Sequence, residues 1–526
     1  AAGDWPDAAR LLADNSFSLT LDGQAQTFQA LVRAFPQGAP ADDLELALVR
    51  AADDLLHGHL DEAAAHLAVA ETYVKTMPPD RRRRLRVAVV SLKLGLARRR
   101  GRLAGVVEQA RFLASPVTGQ SDEDIALGSD LRAVALMNLG TAEAWTLGLP
   151  EAPDAERHLR EGAVLARQIG RPYLEVGCLA QLGFASRIRS FAATRRRCQE
   201  AIALAERHGW GAEPIVAPAL VTLAANLVWT GELDEGERWL QRAARALQTD
   251  AGPGITQLLH LAAGRLHAGR GRHHEALEEL GAAEHLQSQL AGSHALASQV
   301  TGWMLATQAR LGQAGQARAA LAALTDEQAD AGEIRNARAV ICLAEGDPAG
   351  ALGALADVLD GTAPVVGYVT VVEAQLLAAL AHRALGDQRA ANQAAERALA
   401  LAEPDRLVLP FAMTGAGELL EALPRHETAH AALVADILDV VHGAPLPAKD
   451  QPPTPQTEAL SPSELRVLRY LPTNLSRPEI AGELSVSVNT VNTHVRNIYA
   501  KLQARDRSSA VQRARELRLL STGRSR

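Results

Sequence analysis

Apolar residues along most of this chain recur every three or four positions, the spacing of an amphipathic helix rather than the alternation of a strand. After Gly231, for example, Leu233, Trp239, Leu240, Ala243, Ala244 and Leu247 follow helical spacing. Between such stretches a Gly is followed five residues later by a small residue. The pairs are Gly58 with Ala63, Gly231 with Gly236, Gly271 with Ala276, Gly312 with Ala317, Gly346 with Ala351 and Gly386 with Ala391. The last five glycines are separated by 40, 41, 34 and 40 residues. Gly101 with Val106 fits the same scheme, and Gly148 and Ser190 fill the interval up to Gly231 in near-equal steps. A Gly can take the left-handed conformation that ends one helix, and the small residue lets the next helix pack close. The predicted unit is a helical hairpin. Hairpins that cannot bury their apolar faces alone stack into a solenoid.

The hairpin pattern resembles tetratricopeptide repeats, with a longer period than that family usually shows. The expected fold is therefore all-α: a tetratricopeptide-like α-solenoid over residues 1–440. A proline-rich linker follows over 441–457, where Gly443, Pro445, Pro447, Pro452, Pro453 and Pro455 favour extended chain. A small domain occupies 458–526. The solenoid's concave face is expected to bind an effector, either a small molecule or a protein partner, that nothing in the sequence names. The runs Arg81–Arg84, Arg98–Arg100 and Arg195–Arg197 read first as solvated helix faces, with an anion site as the alternative. Trp145, Trp210, Trp229, Trp239 and Trp303 read as core, with stacking on a sugar or base as theirs.

Composition supports helices and adds an asymmetry of charge. Of 526 residues, 47% are hydrophobic but only 3% aromatic, which suits close-packed helices and argues against a β-sandwich. The net charge is −7, yet residues 458–526 carry twelve basic and six acidic side chains, a net of +6. The rest therefore carries −13, and a small basic domain follows a large acidic one. Cys178, Cys198 and Cys342 are too few and too scattered for a disulfide framework or a metal cluster, and read as small buried hydrophobes. No apolar run approaches the ~18 residues of a membrane span, and no signal peptide is visible, so a cytoplasmic protein with no membrane partner is expected. The chain opens without Met inside an amphipathic pattern, which reads as a fragment lacking its N-terminal part.

Signatures of catalysis are sparse. There is neither a G-x-x-x-x-G-K-S/T phosphate loop nor a G-x-S-x-G nucleophile elbow. His426-Glu427-Thr428-Ala429-His430 matches H-E-x-x-H, which on a helix could bind zinc while the Glu activates water. The match lacks a third-ligand continuation and reads as accidental. No metal, no catalytic residue and no enzymatic activity are expected, and a zinc hydrolase ranks third among the readings.

The last seventy residues carry the densest signal. Leu460-Ser461-Pro462 opens a helix whose buried stripe is Val467, Leu468 and Leu471. Ser476-Arg477-Pro478-Glu479 is a capping box ahead of a short helix from Pro478 to Leu484. Ser487 can cap a third helix beginning near Val488. Two short helices joined by a tight turn predict a helix-turn-helix. Val491, Val495, Ile498 and Leu502 form one apolar stripe on the third helix, so Asn492, Thr493, Arg496, Asn497 and Ala500 point outward. That face holds no acid. Arg can read guanine O6/N7 and Asn can pair with adenine N6/N7 in the major groove, while His494, Lys501, Arg505 and Arg507 flank it within reach of phosphates.

These residues, from Leu460-Ser461-Pro462 through Leu475-Ser476, Glu479-Ile480-Ala481, Val486-Ser487, Thr490-Val491, Thr493-His494-Val495, Asn497-Ile498 and Lys501-Leu502 to Arg507 and Ala510, resemble the LuxR-type four-helix DNA-binding domain. The resemblance implies base reading by Asn492, Thr493 and Arg496 and places Thr490, His494 and Lys501 near the backbone, where Ser487, Asn497 and Arg507 are expected to join them. It also implies double-stranded DNA as partner and dimerisation through a fourth helix, Ser508 to Leu520. Departures are Asn492 where Lys is common, Arg466 for a frequent Glu, and Asn474 for a common turn Gly; they bear on the target sequence. A helical-repeat domain ahead of such a domain resembles the large MalT-like transcription regulators, and the opening Gly3-Asp4-Trp5 with Ala8 to Leu12 is similar to the start of their repeat region. That resemblance implies self-association, an RNA polymerase contact, and ATP bound by a module upstream rather than by any residue here. The leading reading is a DNA-binding transcriptional regulator. The alternative is an interaction scaffold whose tail merely dimerises.

Overall fold

The computed structural model describes residues 5–35, 44–74, 79–100, 122–145, 153–247, 252–288, 294–422, 428–441, 460–473, 475–484, 486–502, 504, 506–516 and 519–520. Among them the secondary structure is helical, with no strand. The first helices are α1 (Trp5–Leu21), α2 (Ala25–Arg33), α3 (Leu44–His57), α4 (Leu60–Val74) and α5 (Pro79–Arg99). The next are α6 (Asp122–Trp145), α7 (Pro153–Gln168), α8 (Pro172–Ser186), α9 (Phe191–Arg207), α10 (Ala217–Trp229) and α11 (Leu233–Leu247). Then come α12 (Pro253–Gly269), α13 (His273–Ser288), α14 (Ala297–Arg310), α15 (Ala314–Ala322), α16 (Asp326–Ala329) and α17 (Gly332–Ala344). After these run α18 (Pro348–Leu359), α19 (Tyr368–Ala384), α20 (Gln388–Ala402), α21 (Leu409–Thr414), α22 (Gly417–Ala422) and α23 (Ala431–Val441). The chain ends with α24 (Pro462–Tyr470), α25 (Arg477–Glu483), α26 (Val488–Lys501) and α27 (Arg507–Glu516).

The hairpin rule holds where the sequence places it. Gly58, Gly231, Gly271, Gly312, Gly346 and Gly386 all take positive φ, between 73° and 83°. The small residue five positions on is buried each time. The α12–α13 hairpin shows why a small side chain is needed: a Cβ built on Gly264 would sit 2.9 Å from Leu280 and 3.3 Å from the Ala276 carbonyl oxygen. The two helices thus approach closely at Gly264, and Ala276 beside it is fully buried, so a larger side chain there would have to displace its neighbours. Ser190 also marks a turn, but as an extended N-cap whose hydroxyl accepts from the Ala193 N–H. Gly101 and Gly148 lie outside the described residues. In α11 the buried stripe is Leu240, Ala243, Ala246 and Leu247, and Ala244 is exposed, because 3.6-residue periodicity carries it past the apolar face.

The chain divides into two compact units. One comprises Ala1–Leu227, Asp234–Arg338 and Ala363–Gly367; the other comprises Val228–Leu233, Ala339–Thr362 and Tyr368–Arg526. The first is a stack of consecutive hairpins, α3–α4, α6–α7, α8–α9, α12–α13 and α14–α15. The second holds the α19–α20 hairpin, the short helices α21 to α23, and the C-terminal four-helix domain with its own apolar core. The solenoid's last helices therefore belong to the same unit as that domain. Most of the expected linker lies outside the described residues, and its first residue, Val441, ends α23.

Other expectations resolve side chain by side chain. None of the three cysteines is in a disulfide; Cys178 and Cys198 are fully buried, and Cys342 is partly exposed. Trp145, Trp229 and Trp303 are buried, whereas Trp210 and Trp239 keep partial exposure. Among the described side chains of the arginine runs, Arg100 pairs with Asp61 at 2.5 Å, Arg197 pairs with Glu156 at 3.1 Å, and Arg196 is exposed. In the H-E-x-x-H match, His426 and Glu427 lie outside the described residues. Its second His, His430, sits in a turn with Nδ1 2.8 Å from Glu403 Oε2. Among the described residues no helix is long and apolar enough to cross a membrane, and no cluster of metal ligands occurs.

Candidate nucleic-acid interface

The C-terminal domain is built from caps inward. Ser461 and Glu464 form a capping box that opens α24, the Ser461 N–H donating to Glu464 Oε2 at 2.6 Å and the Glu464 N–H to Ser461 Oγ at 3.3 Å. Ser476 and Glu479 form a second box that opens α25, with Ser476 N–H to Glu479 Oε2 at 2.6 Å. Ser487 Oγ accepts from the Thr490 N–H at 3.1 Å and bonds the Thr490 hydroxyl at 2.8 Å, starting α26. Each cap satisfies backbone donors that a short helix would otherwise leave open. The three helices bury Val467, Leu468, Leu471, Ile480, Ala481, Val491, Val495, Ile498 and Leu502 in one core, which Ala510 and Ala514 of α27 close.

With that stripe buried, α26 turns its other side outward. Thr493 and Arg496 are exposed, and Asn492 and Asn497 are partly exposed. Asn492 Oδ1 accepts from Arg477 Nη1 at 3.1 Å, so a guanidinium of α25 stands beside the reading face. His494 lies on the flank, and its Nδ1 is buried without a hydrogen-bond partner. Ser487 and Thr490 lie together at the amino end of α26, where backbone N–H groups and the helix dipole favour a phosphate. The side chain of Ala500 and residues Asn474, Ser485 and Arg505 lie outside the described set.

Two flanking cations are engaged inside the domain. Lys501 Nζ donates to Glu464 Oε2 at 2.8 Å, tying the end of α26 to the start of α24. Burial alone would raise the Glu464 carboxyl, but hydrogen bonds from Lys501 and from Ser461 outweigh it and hold its pKa below the usual value. Arg507 donates to four carbonyls, those of Tyr470 (3.0 Å), Leu471 (2.8 Å), Thr473 (2.7 Å) and Leu475 (2.7 Å). The guanidinium fork thus clasps the connection between α24 and α25, a role its place in the sequence does not announce.

A third feature sequence reading missed lies between α23 and the domain. Asp436 of α23, 2% exposed, pairs with Arg406 and, at 2.6 Å, with Arg469 Nη1 of α24. Ala431 of α23 packs on the domain's apolar core. Burial lowers the pKa of both guanidiniums, and Arg469 adds to the lowering at Arg406. No local pattern marks these residues, because Asp436 reads as an ordinary helical acid until the chain folds back on it.

Residues 458–514 match the family described as bacterial regulatory proteins, luxR family. A 62-residue stretch is 42% identical to the HTH-type transcriptional regulator MalT of Serratia proteamaculans (strain 568), covering 12% of this chain and 7% of that protein's length. Among solved structures, a Rap protein complexed with competence and sporulation factor gives a TM-score of 0.49 at 13% identity, covering 70% of this chain and 99% of that one. The apo quorum sensor NprR of B. thuringiensis gives 0.42 at 11% identity, covering 68% and 99%. Residues 458–514 are a luxR-family helix-turn-helix domain, carried at the C-terminal end of a helical-repeat chain and similar to the corresponding part of MalT.

Proposed function

We propose that this chain is a transcriptional regulator whose helical-repeat part senses an effector and whose C-terminal domain reads promoter DNA as a dimer or higher oligomer. The observation that carries the reading is the capped α26, which buries one stripe and leaves Thr493 and Arg496 open on an acid-free face. In this reading Arg496, Thr493 and Asn492 contact base edges in the major groove. Ser487, Thr490, His494 and Asn497 contact the backbone. Lys501 and Arg507 hold α24, α26 and the intervening loop in register, so they reach phosphate only at the expense of internal bonds. The fourth helix, α27, exposes Ser508, Gln512 and Arg513, and self-association runs through this face. An RNA polymerase contact completes the reading.

The test is a selection of genomic fragments by the protein across a salt series. Recovery of one recurring site is expected, with Arg496→Ala costing about 1–3 kcal/mol and relaxing one base pair. A sequence preference untouched by that substitution would overturn the assignment of α26 as the reading helix. Loss of all sequence-selective binding by the intact chain would favour a scaffold.

A further inference from the structure

The first compact unit contains a guanidinium that lies on an aromatic ring with no carboxylate paired to it among the described residues. Trp145, the last residue of α6, stacks on Phe184 of α8 with ring centroids 4.0 Å apart and planes 14° from parallel. Its indole N–H donates to Gln181 Oε1 at 3.1 Å. Its carbonyl accepts from the Ala295 N–H at 3.0 Å, and the His294 ring lies 5.2 Å from its own. Gly254, at the start of α12, approaches both rings so closely that a Cβ there would sit 3.2 Å from His294 and 3.3 Å from Trp145. Four segments far apart in sequence thus converge on one aromatic floor.

Arg187 lies on that floor. Its guanidinium sits 3.6 Å over the Phe184 ring, and Nη1 donates to the Phe184 carbonyl at 2.9 Å. The residue as a whole is partly buried. Its charged surroundings are cationic: Arg265 of α12 acts on it directly, while no described carboxylate pairs with it. Burial and then the Arg265 charge pull its pKa down to about 9, so it remains charged at neutral pH. His294 is pushed down to about 4 by burial and then by Arg187, and is neutral. Arg265 is itself buried, with Nη2 2.9 Å from Gln299 Oε1 and its guanidinium 5.3 Å from the Trp303 ring centroid. Elsewhere in the same unit Arg171 meets Asp22 and Asp130, and Arg270 meets Asp234 and Glu237.

A guanidinium held in a low-dielectric surround without a carboxylate is costly, and cannot shed its proton to relieve the cost. An arriving anion gains charge-assisted hydrogen bonds from a fork whose desolvation and orientation have already been incurred on folding. We propose that Arg187, lying on Phe184 and backed by Arg265, binds the anionic head of a small organic ligand, a carboxylate or phosphate monoester with an apolar body. The apolar surround at the Phe184 ring disfavours a heavily hydrated inorganic ion and favours a head carried on a ring or short hydrocarbon. This inference deepens the functional reading above by naming the chemical class of effector, and it rests on the repeats being the sensing part.

The test uses the intact chain without DNA first. Benzoate, phenyl phosphate and the neutral benzamide are titrated at constant ionic strength, by calorimetry and by thermal unfolding. Saturable binding and a raised Tm are expected with at least one of the two anions and not with benzamide; which anion binds more tightly separates carboxylate from phosphate ester. Arg187→Gln should weaken that binding at least tenfold with helical circular dichroism unchanged, Arg187→Lys should retain part of it, and Arg196→Gln, at an exposed position, should leave it intact. Equal behaviour of the three compounds, or undiminished anion binding by Arg187→Gln, overturns the site. If Arg187→Gln fails to fold, discrimination between benzoate and benzamide that is weaker in Arg187→Lys than in the parent supports the site, and discrimination equal to the parent's overturns it. Promoter binding is then measured with and without the anion. A changed affinity supports the effector role, whereas binding that depends on Arg187 but leaves DNA affinity unmoved keeps the site and overturns the sensing role alone.

Discussion

At the scale of single residues, Arg507 shows how little a side chain's charge says about its task. Arg507 flanks a basic face and looks available to phosphate, yet it satisfies four carbonyl oxygens of the α24–α25 connection. Lys could not replace it, because an ammonium lacks the planar fork that reaches four acceptors. Arg507→Ala should destabilise the C-terminal domain by about 3 kcal/mol, the range for hydrogen bonds made by a charged donor to partly buried acceptors. Amide exchange across residues 470–475 is the measurement. Protection there equal to the parent chain's would show that the clasp is dispensable. Arg496 differs in the opposite sense, being exposed and uncommitted to the framework.

At the scale of elements, the hairpins are governed by how closely two backbones approach. In α12–α13 the Gly264 Cα faces the Ala276 carbonyl and Leu280 without space for a further carbon. Ala276→Leu should therefore overpack the hairpin and cost about 1–3 kcal/mol, read as a lower midpoint in thermal unfolding. An unchanged midpoint would mean that the two helices can spread at no cost. The short helices of the C-terminal domain depend instead on carboxylates held ionised. Glu464 is kept below its usual pKa against burial by Lys501 and Ser461; Glu479 is lowered by Ser476, and Asp506 by Ser509. A carboxyl whose pKa is lower folded than unfolded contributes stability above its unfolded value and loses it as pH falls through the folded one. The domain should be fully stable near neutrality and weaken as pH falls from about 5 toward 3. Near this range Glu464→Gln should flatten the profile, and a profile as steep as the parent's would assign the acid sensitivity elsewhere.

At the scale of the whole molecule, the ion-pair cluster around Asp436 joins the last repeat helices to the DNA-binding domain within one compact unit. A buried carboxylate flanked by two guanidiniums is strongly coupled, and removing the carboxylate leaves two like charges facing each other. Asp436→Asn should cost about 3 kcal/mol at this junction. It should also raise proteolytic cleavage between α23 and α24 while leaving the fold of α24 to α27 intact. Cleavage at the parent's rate would show that the domain is held by the Ala431 contact and its neighbours rather than by charge.

The repeat period, the positive-φ glycines and the buried small residues were legible because they are local: a left-handed turn and a close approach each demand one residue type at one offset. The same holds for the capping boxes at Ser461 and Ser476, the cap at Ser487, and the stripe Val491, Val495, Ile498 and Leu502. Helical periodicity determined which side of α26 faces outward, and so the candidate reading residues. Only the tertiary structure decided which cations are free. Lys501 meets Glu464 across 37 positions, and Arg469 meets Asp436 across the linker. Among the described residues no carboxylate pairs with Arg187, because the segments that surround it, from α6 to α14, bring aromatic rings and Arg265 instead. Charge interactions depend on distance and on the medium between the groups. Neither exists until distant segments pack, so a sequence can state that a residue is charged but not whether the fold has neutralised it.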